Sequence, residues 1–392
     1  MSLPPDQLPE LELPRLDAAA LAHSRRLVEL ICAEIARSQG WIGFDSFMQL
    51  ALYAPGLGYY SGGATKLGAA GDFVTAPELS PLYGRTLARQ IGDIVSLSAG
   101  NVLELGAGSG RLAEEVLRAL DMAGALPDRY LILEVSAELA ERQRQRLRSL
   151  PERLASRVSW IDRLPQTFRG AVVCNEVLDA LPVHLVSWSE NGIHERGVVW
   201  SGGRFVWDER TANDRGLLAE ARRLDPPAPY LSELATAGPA LVAAIGGMLE
   251  CGILLVIDYG FGEREYYHPQ RNRGTLMCHF RHRAHDDPFF LPGLQDITSH
   301  VDFTAVTRAA TGAGLELFGY TTQSHFLVNL GITDLMTLTS AEDAAAYLPL
   351  AAQAQKLLSP AEMGELFKVV ALGRGIDRPL EGFRGGDLSR LL

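Results

Sequence analysis

The chain has 392 residues, of which 47% are hydrophobic and 21% are charged, and its formal net charge is −11. This length and apolar content allow one large α/β domain with additions, or two domains. The negative charge opposes general affinity for phosphate backbones and anionic membrane surfaces, so nucleic acid is a disfavoured partner. The four cysteines stand far apart without CxxC spacing, which favours reduced thiols in a reducing compartment.

The first 20 residues carry prolines and acids with a single arginine, a composition that fits neither a signal peptide nor a transit peptide. Apolar runs are short, and the strongest, 253–257, has the length of a strand. A membrane-spanning helix needs about 20 apolar residues. We therefore expect a cytoplasmic protein that does not insert into membranes.

The region before residue 85 divides into two parts. Residues 17–52 place apolar side chains at three- and four-residue spacing, which predicts helices. Residues 53–84 are rich in glycine and aromatic residues without periodicity, and such long loops are often lids or binding segments. Within it we expect Asp72 and Glu78 to close over a substrate, and Thr75 and Pro77 to shape the cofactor side. The alternative for this segment is a turn-rich surface loop.

Strands and helices alternate from residue 101 onwards, which predicts a mostly parallel sheet covered on both faces. The predicted strands are 101–105, 130–135, 157–162, 171–174, 252–257, 315–321 and 367–373, with helices at 111–121 and 137–149.

An insertion interrupts this alternation after residue 182. Residues 183–208 alternate polar and apolar positions around Asn191-Gly192 and Gly202-Gly203, which predicts an antiparallel meander, followed by a helix near 231–248. A second, polar insertion covers 261–300. The expected organisation is a helical region and loop (1–84), a core (85–182 and 249–375), the meander with its helix (183–248) and the polar insertion (261–300).

A glycine loop follows the first core strand in "NVLELGAGSGRL". Gly106, Gly108 and Gly110 let the backbone approach a ligand closely. A dinucleotide fingerprint needs a small residue where Arg111 stands, so the GxGxG spacing points to another cofactor. The carboxylate of Glu104, at the strand end, favours a sulfonium cofactor with an ammonium group over a pyrophosphate.

Acids also close the next two strands. Glu134 stands where a carboxylate can accept both hydroxyls of a ribose, and Asp162 ends the third strand. Ligands of open α/β sheets bind beyond the carboxyl ends of the strands, so three such acids in succession predict a cofactor site. The alternative is three solvent-exposed strand ends that cap helices.

The ordered motifs resemble the MidA family of class I S-adenosylmethionine-dependent methyltransferases. They are "GDFVTAPELSPLYG" (71–84), "ELGAGSGRL", "LEVS" (133–136), "NEVLDALPV" (175–183), "IDYG" (257–260), "GTLMCHFRH" (274–282) and "DITSHVDFTAV" (296–306). That family comprises the mitochondrial complex I assembly arginine methyltransferase and its bacterial relatives. The resemblance implies a seven-stranded Rossmann-like sheet whose last strand is antiparallel, S-adenosylmethionine as cofactor, and methyl transfer to a protein arginine. Ala107, Val177 and Leu178 depart from the family pattern, which has proline and aromatic residues there.

Three polar residues follow the fourth strand in "AVVCNEVLDALPV". A guanidinium presents several donors in a planar fork, which calls for carboxylates, and Glu176 and Asp179 offer two. A helical turn from Asn175 would place these acids on one side, with Asn175 facing the cofactor. The alternative for the acids is local capping. Nucleobase methylation would need a stacking aromatic, which is missing here.

Two further sets of residues raise questions of role. Asp258 ends the fifth strand and is expected to line a substrate cleft, or to be a solvated strand end. His279, His282 and His285 form HxxHxxH, but this spacing drifts around a helix and methyl transfer needs no metal, so we predict no metal site. A non-enzymatic, client-binding assembly factor and a small-molecule O- or N-methyltransferase stay open as alternatives, and the sequence leaves the oligomeric state open.

Overall fold

The computed structural model describes residues 18–62 and 75–392, so the expectation for Asp72 lies outside the described residues. The region before the core is helical at 18–37 and 44–53, as predicted for residues 17–52, with a two-residue strand between these helices. It is also helical at 76–79 and 81–98, although residues 53–84 were predicted to be a loop. Its elements are α1 (Ala18–Arg37), β1 (Ile42–Gly43), α2 (Phe44–Tyr53), α3 (Ala76–Leu79) and α4 (Pro81–Ser98).

The first half of the core alternates strands and helices. Its elements are β2 (Asn101–Leu105), α5 (Arg111–Met122), β3 (Tyr130–Leu133), α6 (Ala137–Leu147), α7 (Glu152–Ala155), β4 (Val158–Ile161) and β5 (Phe168–Asn175). Strand β2 pairs in parallel with β3 and β5, and β3 pairs in parallel with β4. The predicted parallel sheet is therefore confirmed in this half.

The insertion after β5 builds a separate antiparallel sheet. Its elements are β6 (Val183–Ser189), β7 (Gly192–Ser201), β8 (Arg204–Thr211), α8 (Arg215–Leu224), β9 (Tyr230–Ala235) and α9 (Ala237–Met248). The sheet has the order β1-β7-β6-β9, with β8 on β7. The helix predicted near 231–248 is wrong in its first turn, because residues 230–235 pair with β6 as a strand.

The second half of the chain completes the core and adds a small three-stranded sheet, β12-β11-β13. Its elements are β10 (Leu249–Phe261), α10 (Glu263–Tyr266), β11 (Met277–Phe280), β12 (Arg283–His285), β13 (Asp296–Thr298), β14 (Val301–Asp302), α11 (Phe303–Gly312), β15 (Glu316–Thr322), α12 (Gln323–Asn329), α13 (Ile332–Thr337), α14 (Ala344–Leu358), α15 (Met363–Leu366) and β16 (Phe367–Arg374).

The central sheet has the strand order β15-β16-β10-β5-β2-β3-β4. Strand β16 runs antiparallel to both of its neighbours, as the family resemblance implied. The short β14 adds an eighth strand beside the end of β10. This is the Rossmann-like arrangement of class I methyltransferases, in which the carboxyl ends of β2, β3 and β5 meet at one edge.

Both faces of this sheet are covered by an apolar core. Neighbouring residues of a strand point to opposite faces and so join different cores. On β10, Ile253 and Leu255 join one apolar core, while Leu254 and Val256 join the other. A third core packs α1 and α2 against the antiparallel sheet, through residues such as Phe47. This packing fixes α2 beside the carboxyl edge of the central sheet. Within the described ranges, no helix is long and apolar enough to cross a membrane.

Candidate functional site

The glycine loop forms a tight strand-to-helix turn between β2 and α5. Gly106, Gly108 and Gly110 have φ values of +62°, +54° and +81°, in the left-handed region that favours glycine. A Cβ at Gly106 would lie 3.2 Å from Cγ2 of Val177, which is tight packing. Residues other than glycine would be strained at these positions, and the glycines leave the loop backbone open to a ligand at the sheet edge.

A cavity of about 530 Å³ lies beyond the carboxyl ends of the central strands, a volume in the usual range for ligand pockets. Most of the site residues predicted from the sequence line it together: Thr75, Pro77, Glu78, Glu104, Gly106, Gly108, Glu134, Asn175, Glu176 and Asp179. Gly110, Asp162 and Asp258 are not among the lining residues. The cavity therefore combines the glycine loop with the acids at the carboxyl ends of β2, β3 and β5.

Two acids mark the end of the cavity nearest β2 and β3. Glu104 is 2% exposed, and its carboxylate accepts a hydrogen bond from the Tyr130 hydroxyl at 2.7 Å. Burial raises the pKa of Glu104 to about 7, against the Tyr130 hydrogen bond, which lowers it. Glu134 accepts hydrogen bonds from the Ser136 N–H at 2.9 Å and from the Gln143 amide at 2.8 Å. Both acids are therefore held in fixed orientations.

The remaining predicted cofactor residues, Gly110 and Asp162, lie close to the cavity without lining it. Gly110 is the N-cap of α5 and packs against Gln143. The Asp162 side chain is 94% exposed and lines an adjoining depression that shares Glu134 and Val135 with the cavity. Asp162 is thus placed at the outer rim, where the 76% exposed Val135 also lies.

Glu176 follows β5 directly, and its backbone adopts φ +53°, so no helical turn begins at Asn175 as the sequence predicted. The N–H of Glu176 instead donates to the Ile257 carbonyl at 2.9 Å, which continues the contact with β10. Its carboxylate accepts hydrogen bonds from the Ala76 N–H at 3.3 Å and from the Asn175 amide at 3.1 Å. Burial, followed by the charge of Asp179, raises the pKa of Glu176 to about 8.

Asp179 is the second acid at this end of the cavity and is 6% exposed. Burial raises its pKa to about 6, against a hydrogen bond from the Tyr259 hydroxyl, which lowers it. Its Oδ1 is buried and finds no hydrogen-bond partner among the described residues. A buried carboxylate oxygen without a donor is costly, so this atom indicates the place of a missing donor.

Asp258 does not line the cavity, which corrects its expected position. Its buried carboxylate accepts the N–H groups of Leu178 at 3.0 Å, Asp179 at 3.3 Å and Tyr259 at 3.0 Å. Burial, and then the charges of Asp179 and Glu176, raises its pKa well above the ordinary value. The loop after β5 packs against β10, and Asp258, within that strand, holds the loop instead of lining the cavity.

Glu78 and Asn175 connect the cavity wall to neighbouring elements. The Ser109 hydroxyl in the glycine loop donates to Glu78 of α3. The Tyr83 hydroxyl of α4 donates to the Asn175 side-chain oxygen. These contacts tie α3 and α4 to the loops after β2 and β5.

Two tyrosines that the sequence reasoning missed, Tyr53 and Tyr60, also line the cavity. The Tyr53 and Tyr60 rings stack with 5.5 Å between centroids and 22° between planes. The Tyr53 hydroxyl donates to the Ala180 carbonyl at 3.0 Å, and the Tyr60 hydroxyl donates to Asp296 Oδ1 at 3.0 Å. Asp296 opens the motif "DITSHVDFTAV", so the sequence offered a signal for it, but not its position beside the cavity.

Arg111, the first residue of α5, also lines the cavity. The other side chains of the lining that carry charge are the acids Glu78, Glu104, Glu134, Glu176 and Asp179. The Arg111 guanidinium forms no ion pair within the described part of the chain, and its buried Nε has no partner there. Among the described residues of the lining, a single cation thus faces several carboxylates.

The three histidines of HxxHxxH lie on a hairpin, not on a helix. His279 is on β11, His285 is on β12, and His282 lies in the turn between them. Among the described residues, the group of metal-ligand types within reach of one another is a different one: Asp45, His184 and Glu195. There the His184 Nδ1 already contacts Glu195 at 2.8 Å and lies 3.6 Å from Asp45, the geometry of an ion pair.

The sheet order, the GxGxG turn and the acids at the strand ends together define a class I S-adenosylmethionine-dependent methyltransferase. The chain matches a family of S-adenosyl-L-methionine-dependent methyltransferases over residues 85–321 and belongs to it. This confirms the resemblance to the MidA family and S-adenosylmethionine as the cofactor.

Similar proteins span nearly the whole chain. A bacterial methyltransferase-like protein from Burkholderia thailandensis, crystallised with S-adenosyl-homocysteine, is 49% identical, covers 97% of this chain and 100% of its own, and superposes with a TM-score of 0.94. The zebrafish mitochondrial protein arginine methyltransferase NDUFAF7 is 28% identical over 92% of this chain and 90% of its own. The human NDUFAF7 is 27% identical over 90% and 84%.

The residues present fit this cofactor. S-Adenosylmethionine carries two positive groups, the sulfonium and the ammonium, and one negative group, the carboxylate. The described part of the cavity lining offers several acids and one arginine, which matches that charge pattern. Glu134 lines the cavity directly after β3, and the glycine loop leaves room for close backbone contact.

Proposed function

We propose that this methyltransferase transfers a methyl group to the guanidinium of an arginine in a protein, either a respiratory complex I-type subunit or another protein. The observation that carries the proposal is the pair of acids after β5, in which the Asp179 Oδ1 is buried and without a donor among the described residues. The relatives named as protein arginine methyltransferases support it. A cytoplasmic location belongs to the same proposal.

Charge explains why a cation suits this end of the cavity. Glu176 and Asp179 line it, and Asp258 lies directly beneath them. Carboxylates this close raise one another's pKa, because two buried negative charges repel. A guanidinium between Glu176 and Asp179 would relieve this repulsion and supply the missing donor to Asp179.

When bound, S-adenosylmethionine supplies a methyl group on a positively charged sulfur. The protein's part is to hold the guanidinium nitrogen in line with that group and to exclude water. Glu176 and Asp179 accept the N–H groups of the guanidinium and fix its plane. As the new N–C bond forms, the S–C bond breaks, and the nitrogen gives one proton to a carboxylate or to water.

The decisive experiment is mass spectrometry of cellular proteins with and without the gene. The proposal expects at least one arginine that is methylated in the parent strain, unmethylated in the deletion, and restored by the wild-type gene. A Glu176→Gln variant should bind S-adenosyl-homocysteine with nearly wild-type affinity and fail to restore the methylation. Restoration by this variant would remove Glu176 from the substrate site, and an unchanged arginine methylation pattern would reject the arginine assignment.

A further inference from the structure

The substrate end of the cavity is bounded by two tyrosines whose hydroxyl protons are both committed to the protein. Tyr53 donates to the Ala180 carbonyl, and Tyr60 donates to Asp296 Oδ1, each at 3.0 Å. Asp296 is 2% exposed, and the same oxygen also accepts the Ile297 N–H at 3.0 Å. The Tyr60 hydroxyl is therefore fixed by a buried carboxylate from β13, 236 residues further along the chain.

A hydroxyl whose O–H already donates a hydrogen bond to the protein can only accept hydrogen bonds from a ligand. Tyr53 and Tyr60 then face the cavity as stacked rings with accepting oxygens, beside the carboxylates of Glu176 and Asp179. The guanidinium is the side-chain group that complements such a wall, because it has five N–H donors, no acceptor and a flat face that stacks on aromatic rings.

We propose that Asp296 is a positioning residue that, through the Tyr60 hydroxyl, makes the substrate end of the cavity select a guanidinium over a neutral isostere. This inference rests on the proposed function, because it concerns the same substrate. It gives a role to the 261–300 insertion, since β13 brings Asp296 into contact with Tyr60, which lines the cavity. Asp296 is also the first residue of the motif "DITSHVDFTAV", so the proposal assigns a role to the start of that motif.

Two substitutions separate this role from general packing. In Asp296→Asn, the new amide can donate to the Tyr60 oxygen, which frees the Tyr60 O–H to point at the ligand. The Tyr60 O–H and the guanidinium N–H groups are then both donors and cannot pair. In Tyr60→Phe, the accepting oxygen is lost altogether. Because Asp296 acts through that hydroxyl, the double variant should be no worse than Tyr60→Phe alone.

The experiment measures binding to protein saturated with S-adenosyl-homocysteine. The probes are N-acetyl-arginine methylamide and its neutral citrulline counterpart, which has nearly the same shape but replaces a donor by an acceptor. Wild type should prefer the arginine probe, and Asp296→Asn and Tyr60→Phe should each reduce that preference by about tenfold, the usual effect of one hydrogen bond to a charged group.

Matched controls test whether the effect is merely structural. Asp302→Asn changes another buried acid, which caps α11, and Tyr230→Phe removes another tyrosine hydroxyl that donates to a carbonyl, that of His268. Neither residue lines the cavity. Both controls should keep the arginine preference, and all variants should keep wild-type affinity for S-adenosyl-homocysteine.

The outcomes separate the two proposals. An arginine preference in wild type that persists in Asp296→Asn, or a double variant whose losses simply add, overturns the role of Asp296 while the arginine assignment stands. If wild type shows no preference for the arginine probe over citrulline, the arginine assignment and the role of Asp296 both fall.

Discussion

The carboxylate of Asp258 accepts the main-chain N–H of Asp179 at 3.3 Å, so one buried acid holds the loop that presents another. The same oxygen accepts the N–H of Leu178 at 3.0 Å. Strand β10 thereby fixes the segment after β5, and the distance between Asp179 and Glu176 depends on this contact. The relative position of Glu176 and Asp179, the acids proposed to bind the substrate, therefore depends on Asp258, which does not line the cavity.

Replacing Asp258 should therefore act on stability. In Asp258→Ala, three buried N–H groups lose their acceptor, and each unsatisfied group typically costs about 1–3 kcal/mol. We expect a lower free energy of unfolding in urea by at least about 2 kcal/mol. The control is Asp128→Ala, since the Asp128 side chain is 99% exposed and should leave stability nearly unchanged. Equal stability of the two variants would contradict the holding role.

Glu176 should make the stability of the ligand-free protein depend on pH. Its pKa is raised from 4.5 to about 8 in the folded state, so the folded chain binds more protons than the unfolded chain between these values. The stabilisation from this group is fully present below about pH 4.5 and is lost as the pH rises through about 8. Asp179, with a pKa of about 6, acts in the same direction over a narrower range.

Urea unfolding at pH 5.5, 7.0 and 8.5 tests this prediction. As the pH rises, the unfolding free energy of wild type should fall relative to that of Glu176→Gln, because glutamine does not titrate. S-Adenosyl-homocysteine should be left out of these samples. A difference that stays constant across the three pH values would show that Glu176 has an ordinary pKa.

The glycine loop gives a prediction with a closely matched control. Gly106→Ala forces alanine into φ +62° and brings a Cβ to 3.2 Å from Val177, at the cavity wall. Gly124→Ala meets a similar φ of +66°, but nothing lies within 4 Å of the new Cβ, and Gly124 is not part of the cavity. Both should lose about 1–2 kcal/mol of stability. Calorimetry should show weakened S-adenosyl-homocysteine binding for Gly106→Ala alone.

Local patterns in the sequence were sufficient for the core. The apolar runs of β2, β5 and β10 and the glycines between β2 and α5 are signals within a few residues, and they predicted the sheet edge correctly. The acids Glu104, Glu134 and Glu176 could be placed there because the ends of parallel strands converge.

What the sequence could not give depends on distant parts of the chain. Residues 230–235 form a strand because β6 is beside them, and their local pattern did not exclude a helix. The pairing of Tyr60 with Asp296 joins residues 236 positions apart. The buried position of Asp258 likewise follows from the loop that covers it. Such contacts are set by tertiary packing and leave no periodicity in the sequence.

Arg111 provides a test of how the cavity holds its cofactor. It is the cation among acidic lining residues, and its guanidinium has no ion-pair partner in the described ranges. The cofactor has one anionic group, the carboxylate of its methionine part, so we expect Arg111 to bind that group. Arg111→Gln should then weaken S-adenosylmethionine binding by about tenfold to a hundredfold, the effect of losing hydrogen bonds between charged groups.

Decarboxylated S-adenosylmethionine makes this prediction specific. It lacks the carboxylate but keeps the sulfonium and the amine, so its affinity should be nearly equal for wild type and Arg111→Gln. Arg118→Gln, on the exposed side of α5 where Arg118 pairs with Glu114, is the control and should bind both compounds like wild type. Calorimetry with the two ligands on the three proteins gives the comparison. If Arg111→Gln weakened both compounds equally, the arginine would shape the glycine loop and not bind the carboxylate.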